Sequence, residues 1–293
     1  MKCGYVALIG RPNVGKSTLM NRLLGQKISI TSRKPQTTRH RILGIATDDT
    51  AQIIYVDTPG MHGDQKKALN RTLNRTADSA LLGVNAVVWL LDSPAWQDYD
   101  AEILQKLRHA GAPVILAVNK IDRLAYKEAL LHFFDEARQR FPFAHLIPIS
   151  ARNGTNLPAL RAALLELLPE SAPLYDPEWV TDRPERFLAA ELIREKLMRR
   201  LGQELPYALT VVIERYEEQE HLVKIYATIW VERDSQKNIV IGKQGAVLKQ
   251  VGSDARRDIE ALIGHQVFLQ LWVKTQKGWA DNERLLHSLG FGA

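Results

Sequence analysis

Only one cysteine, Cys3, occurs among the 293 residues, so no disulfide can close within the chain and no multi-cysteine metal site can be built. That scarcity fits a reducing compartment, with Cys3 a bystander. Long hydrophobic runs are missing as well: nowhere do about 18 apolar residues follow one another, as a membrane-crossing helix requires. The chain opens directly into the strand-like GYVALIG, with no basic n-region and no cleavage site, so a cytoplasmic protein is expected. Repeats and low-complexity tracts are absent too. What remains, 45% hydrophobic and 25% charged residues, is a globular composition long enough for two domains with separate cores.

The net charge of +6 and pI near 9.3 favour a polyanionic partner only mildly. Residues 1–179 carry 22 Lys and Arg against 17 Asp and Glu, whereas residues 180–293 carry 17 against 16. Nucleic-acid binding by the C-terminal part must therefore rest on local geometry.

From residue 4 to about 168, short β-branched runs alternate with helical-period stretches, the pattern of an α/β sheet with crossover helices. Strands are expected at YVALIG, HRILGIATD, AQIIYVD, AVVWLLD, PVILAVNK and HLIPIS. The second and third are separated by a hairpin-length connection, which predicts a mixed six-stranded sheet. Helices are expected near 16–24, 66–82, 99–109, 126–140 and 157–168. These boundaries give a first domain over 1–168, a proline-rich linker over 169–184, a smaller α+β domain over 185–277 and a tail over 278–293. The second domain reads α, β, β, α, α, β.

Gly10, Gly15, Lys16 and Ser17 complete G-x-x-x-x-G-K-S between a strand and a helix. In this P-loop pattern backbone amides surround phosphates, the lysine reaches the β and γ oxygens, and the serine hydroxyl takes Mg²⁺. The nucleotide-binding stretch is Gly10, Arg11, Pro12, Asn13, Val14, Gly15, Lys16, Ser17 and Thr18. Asp57 ends an apolar strand and precedes Thr58, Pro59 and Gly60, so its carboxylate can hold a magnesium shell while the Gly60 amide faces a γ-phosphate. Asn119, Lys120, Ile121 and Asp122 follow another strand. A carboxylate at Asp122 accepts from the N1 imino and 2-amino groups of guanine, donors that adenine lacks. Ser150 and Ala151, at the last strand, offer a backbone amide to guanine O6.

In this order the four stretches resemble the motifs of the translation-factor-related GTPases. The resemblance implies a threonine in a mobile loop that meets Mg²⁺ with the γ-phosphate. SRKPQTTRHR offers Thr37 and Thr38, and Thr38 is favoured by its place just before the edge strand. Lys16, Thr38 and Gly60 are the expected catalytic positions, and Ser17, Thr38 and Asp57 the magnesium ligands. Where many small GTPases have a water-orienting glutamine, this chain has Met61, so slow intrinsic turnover is expected. His62 is a second candidate for placing water, and Asn13 for binding K⁺ that bridges the phosphates.

IVIGKQG holds a second glycine pair. Ile241, Gly242, Lys243, Gln244 and Gly245 form a G-x-x-G loop of the kind that clamps about four single-stranded nucleotides in KH domains. The surrounding element order matches a type II KH domain, with an apolar groove expected between strands 222–233 and 266–274. Lys249, Lys274, Lys277 and Trp279 join the expected RNA contacts, whereas Trp272 alternates with core residues. The GTPase domain, linker and KH domain together resemble the bacterial Era family across essentially the whole chain. That resemblance implies a GTP/GDP switch that binds the 3′ end of 16S ribosomal RNA, assists 30S maturation and associates peripherally with the inner membrane. A monomer is expected because no apolar stripe is left over. An RNA-directed ATPase is disfavoured by Asp122, a protein-binding second domain by the single P-loop, and a dead nucleotide site by the intact Lys16–Ser17 pair.

Overall fold

The computed structural model describes residues 1–32, 34–60, 68–124, 128–202 and 205–291. The chain divides into two compact units, one of residues 1–29, 38–65 and 70–182, the other of 30–37, 66–69 and 183–293.

In the first unit six strands form one sheet: β1 (Lys2–Gly10), β2 (Ile42–Thr47), β3 (Ala51–Asp57), β4 (Ala86–Leu91), β5 (Val114–Val118) and β6 (His145–Pro148). Their spatial order is β2-β3-β1-β4-β5-β6. The β2–β3 pair is antiparallel and the rest are parallel. Asp48 closes the β2–β3 turn, accepting from the amides of Thr50 at 2.8 Å and Ala51 at 3.1 Å. Helices α1 (Lys16–Leu24), α2 (Ala68–Ser79), α3 (Asp98–Ala110), α4 (Glu128–Arg140) and α5 (Leu157–Leu167) connect the strands. Strands β4 and β5 are buried along their whole length, which is why they read as continuous apolar runs rather than alternating ones. The register aligns Leu8 with Asp57, Gly10 with Leu90, and Val118 with both Leu91 and Pro148. The motifs therefore emerge together beyond the carboxyl edge of the sheet, where open α/β sheets bind ligands.

The proline-rich segment is not a free tether. Buried Gln52 accepts from the amides of Leu174 at 2.7 Å and Tyr175 at 2.9 Å and donates to Tyr175 O at 2.8 Å. Farther along, Val180 O and Asp182 Oδ1 accept from the amides of Ile45 and Leu43 on edge strand β2. The segment thus straps the edge that the sheet would otherwise expose, which guards it against foreign pairing.

In the second unit, α6 (Glu185–Arg200), β7 (Leu209–Gln219), β8 (Leu222–Val231), α7 (Asp234–Ile241), α8 (Ala246–Ile263) and β9 (Gln266–Thr275) follow in turn. The sheet order is β7-β8-β9, antiparallel then parallel. A parallel β8–β9 pair needs a crossover, which α7 and α8 supply. Leu192, Ile193, Val240, Val251 and Ile259 of the helices pack on Val211, Ile225, Ile229 and Val267 of one sheet face. Ile30 enters the same core, so residues 30–37 depart from the contiguous first domain expected over 1–168.

Helix α6 buries Glu191, Arg194, Glu195 and Lys196, charges that the helical period alone assigns to a solvated face. Each finds a partner, as buried charge requires. Arg194 donates to Glu191 at 2.7 Å and to Thr37 O, and Glu195 accepts from the Thr31 amide at 2.8 Å. Lys196 pairs with Asp258. The tail adds α9 (Glu283–Ser288).

Candidate functional site

The phosphate loop is built by glycines that nothing else can replace. Gly10 has φ 144°, and a Cβ there would lie 2.5 Å from Leu90 O. Gly15 has φ 108°, and its Cβ would lie 2.3 Å from Asn119 Nδ2. Both combine a backbone conformation that disfavours side chains with a lack of room for one. Helix α1 starts at Lys16 without a side-chain cap, so its first amides face the loop as anion donors. Val14 is buried, whereas Asn13 is exposed at φ 65°.

Lys16 is buried, its Nζ donating to Gly10 O at 2.9 Å and Arg11 O at 3.1 Å. Burial holds its pKa down at about 8, with the Asp57 carboxylate opposing the shift. Asp57 is fully buried, and desolvation pushes its carboxyl upward against the pull of Lys16 and neighbouring hydroxyls. Asp57 Oδ2 accepts from Ser17 Oγ and Ser29 Oγ, each at 2.7 Å, while Oδ1 is buried with no hydrogen-bond partner among the described residues. Ser29 has no motif around it and was invisible in the sequence.

The structure separates the two threonines. Thr38 is buried, with Oγ1 2.8 Å from Ser17 Oγ. Thr37 turns elsewhere, donating to Lys34 O and meeting Ser32 Oγ, both at 2.7 Å. Thr58 donates to Leu8 O at 3.0 Å, anchoring the strand end before Pro59. Gly60 packs so close to Pro12 that a Cβ would lie 2.9 Å from Pro12 Cα. Met61 and His62 lie outside the described residues.

Asn119 ties the base-reading loops together, donating to Val14 O at 2.8 Å and accepting from the Ala151 amide at 2.9 Å. Of the Ser150–Ala151 pair, from which one backbone amide is expected at a guanine oxygen, the Ala151 amide holds Asn119 here. Ser150 Oγ donates to Asp122 at 2.6 Å, and this bond foremost keeps the exposed Asp122 carboxyl below its ordinary range. Lys120, at φ 65°, reaches Asn13 O at 2.7 Å and Asp92 at 3.0 Å. Arg11 also reaches Asp92, at 3.3 Å. The Asp92 bridge between the two loops was not legible, because no motif marks it.

The second glycine loop follows α7. Gly242 has φ 74°, and a Cβ there would sit 2.4 Å from Val247 Cγ2. Lys243 and Gln244 are exposed, and Gln244 adopts φ 52°. Beside the loop a groove of about 520 Å³ runs between α8 and β9, lined by Gly245, Lys249, Gly252 and Arg256 on one side and Val267–Leu271 on the other. The groove thus lies at the helix side of edge strand β9, whereas the expectation set it between β8 and β9, which pair directly. Two expected RNA contacts lie away from this groove. Trp279 is fully buried, with its indole donating to Ala208 O at 3.3 Å, and is a packing residue. Lys274 pairs with Trp230 and points to the face opposite the helices. Lys277 is exposed.

The family described as 50S ribosome-binding GTPase matches residues 5–120, and the KH domain family matches residues 204–280. GTPase Era of Pseudomonas syringae pv. tomato is 53% identical over 291 residues, covering 99% of this chain and 97% of that protein. GTPase Era of Coxiella burnetii is 53% identical over 289 residues, covering 99% and 98%. Two solved structures resemble the chain over its full length and theirs, each at 38% identity and TM-score 0.97. One is a variant of Aquifex aeolicus Era bound to GDP and AlF4⁻. The other is Era in complex with MgGDPNP and nucleotides 1506–1542 of 16S ribosomal RNA.

Proposed function

Since the chain belongs to the Era family of GTPases, we propose that this GTPase is a switch that binds the 3′ end of small-subunit ribosomal RNA and assists 30S maturation. The observation that carries the nucleotide half is the convergence of Lys16, Ser17, Thr38 and Asp57 at one sheet edge, with Asp122 held by Ser150. The GKQG loop beside the α8–β9 groove carries the RNA half, supported by the 16S RNA fragment bound to the solved relative.

The site fits Mg²⁺. The orphaned Asp57 Oδ1 and the hydroxyls of Ser17 and Thr38 form an all-oxygen donor set, the kind this hard cation takes. When bound, magnesium neutralises charge on the phosphate oxygens. The chain's own residues do the rest. Lys16, held by two loop carbonyls, is positioned to exchange them for phosphate oxygens. The loop amides and the α1 terminus orient the phosphates, and the Gly60 amide donates to the γ-phosphate. Asp122 selects guanine because adenine leaves its carboxylate unsatisfied.

K⁺ at Asn13 completes the proposed phosphate site: this exposed side chain stands at the mouth of the loop, where a monovalent cation would meet phosphate oxygens. Faster turnover in KCl than in NaCl at equal ionic strength is expected, and equal rates remove the K⁺ role. We further propose a cytoplasmic monomer, as the composition and the lack of a leftover apolar stripe suggest, with peripheral contact at the inner membrane, which the family resemblance alone suggests. Among the described residues no helix is long and apolar enough to cross a membrane. Cell fractionation and analytical sedimentation check these assignments.

The deciding experiment compares GTP, ATP and xanthosine triphosphate binding to the wild type and Asp122→Asn. The variant should lose GTP by about 100-fold or more and gain xanthosine triphosphate, because its amide now donates where the carboxylate accepted. Equal ATP and GTP binding with no effect of the substitution would overturn the guanine reading.

A further inference from the structure

Strand β4 lies between β1, which leads into the phosphate loop, and β5, which leads into the base-reading loop, yet it carries none of the four nucleotide motifs. The register sets Leu90 against Gly10 and Leu91 against Val118, and Leu91 O accepts from the Asn119 amide at 2.7 Å. The residue that follows β4 is therefore placed where the two loops leave the sheet. That residue is Asp92, its side chain 34% exposed and set between two cations.

The two carboxylate oxygens serve different loops. Oδ1 accepts from Arg11 Nη2 at 3.3 Å, and Oδ2 accepts from Lys120 Nζ at 3.0 Å. Arg11 is steadied in turn from its other side, where its Nε lies 3.4 Å from Oδ1 of Asp100, a carboxylate almost wholly buried in the first turn of α3. Lys120 Nζ also donates to Asn13 O at 2.7 Å. Both residues joined by that bond stand in the left-handed region, Asn13 at φ 65° and Lys120 at φ 65°. That conformation is unfavourable for a residue with a Cβ and persists only where the surroundings hold it. Neutralising two cations would not by itself require the ammonium of one loop to be shared with a main-chain carbonyl of the other.

We propose that Asp92 is a positioning residue for guanine-nucleotide binding: oriented by Arg11, it holds the Lys120 ammonium against the phosphate loop, so that the lysine stem is ready to cover one face of the base and Asn13 keeps its place in the loop. This role rests on the guanine reading of Asp122 given above. A contact that is in place before the ligand arrives saves the ordering that binding otherwise requires, and differences among variants of one site fall mainly on dissociation. Asp92 therefore sets how long GDP stays after hydrolysis.

Release of a ribose-labelled fluorescent GDP from the full chain tests this, together with GTP and ATP affinities, for the wild type, Asp92→Asn, Asp92→Glu, Lys120→Ala and the Asp92→Asn/Lys120→Ala double variant. Asp92→Asn keeps the shape but turns an N–H group toward one of the two cations. GDP release should quicken and GTP affinity should fall, each by about tenfold, as the loss of a partly exposed hydrogen bond between charged groups implies. Asp92→Glu, which keeps the charge, should stay within about threefold of the wild type. Because Asp92 acts through Lys120, adding Asp92→Asn to Lys120→Ala should change GTP affinity by less than about threefold, a non-additivity that independent residues do not show. The ligand-free Tm of Asp92→Asn should stay within about 2 °C of the wild type, since the carboxylate is a partly exposed surface group. If the losses multiply in the double variant, or if Asp92→Asn releases GDP at the wild-type rate, the positioning role is overturned. Equal losses in Asp92→Asn and Asp92→Glu, or a fall in Tm of about 5 °C or more, overturn it as well, because the residue would then serve packing and stability. If the wild type holds ATP as tightly as GTP, the guanine reading itself fails, whatever the Asp92 variants do.

Discussion

Two glycine loops divide the work of this chain, and they use glycine differently. In the phosphate loop both Gly10 and Gly15 are crowded: a Cβ would strike Leu90 O in one case and the Asn119 amide in the other. In the GKQG loop only Gly242 is crowded, by Val247, while Gly245 faces open space at φ 77°. The first loop is locked by the neighbouring motif loops before any ligand arrives, through Asn119 to Val14 O and Lys120 to Asn13 O. The second is locked at one end and open at the other, with Lys243 and Gln244 exposed between. A site that holds a small anion in fixed geometry gains from preorganisation. A site that follows a flexible polynucleotide needs close approach at one point and tolerance beyond it.

The contrast is broken most severely at Gly15. Gly15→Ala forces a Cβ into the Asn119 side chain at a φ of 108°, displacing the residue that joins three motifs. GTP affinity should fall by about 100-fold or more, from backbone strain and overpacking together. RNA binding to the groove should be unchanged, and titration of both ligands on one preparation checks it.

Much of the architecture was legible because local signals agreed. Helix α1 runs over Lys16–Leu24, where the P-loop pattern set it, and the β2–β3 hairpin is antiparallel as its short connection required. What could not be read depends on which surface another element covers. Alternation on β9 separates Trp272 from Val273 but does not say which side receives the helices. Trp272 therefore emerges exposed, while Trp279, beyond the strand where alternation stops, fills the core. Likewise, spacing cannot separate Thr37 from Thr38. That choice follows from Ser17 and Asp57, residues distant in sequence. Ser29, Asp92 and the buried charges of α6 carry no signature because their partners are long-range.

Gly242→Ala tests the crowded end of the second loop. The methyl would overlap Val247 Cγ2, so the loop must shift away from the start of α8. RNA affinity should drop by about 5- to 150-fold, the range that overpacking costs of about 1–3 kcal/mol imply, with GTP binding preserved. The phosphate loop offers a smaller, reversible perturbation through pH. Lys16 titrates at about 8 in the folded protein, against 10.5 as its ordinary value. The unfolded chain therefore keeps this proton across that window, and deprotonation relieves the buried charge, so the contribution of Lys16 to ligand-free stability rises with pH there. Phosphate binding runs the other way, because it needs the charged amine. GTP affinity should fall about tenfold from neutrality to about pH 9, where roughly a tenth of Lys16 in the ligand-free protein stays protonated. A flat profile over that range would show that burial does not hold the lysine down.

The smallest effect is expected at Gly245, where torsion is the only visible demand. Asparagine visits the left-handed region at little cost, and nothing lies within 4 Å of a Cβ built there. Gly245→Asn should therefore leave Tm within about 2 °C, as a change of a few tenths of a kcal/mol implies. Gly245→Val, β-branched in the same conformation, should cost about 1–2 kcal/mol. Because Gly245 lines the groove, RNA titration of the asparagine variant carries separate information. Affinity within about threefold of wild type, under 1 kcal/mol, would mean that this glycine serves only the chain's own turn. A loss as large as that of Gly242→Ala, at unchanged Tm, would mean that the RNA backbone itself occupies the open space, and that both ends of the GKQG loop are fitted to the ligand.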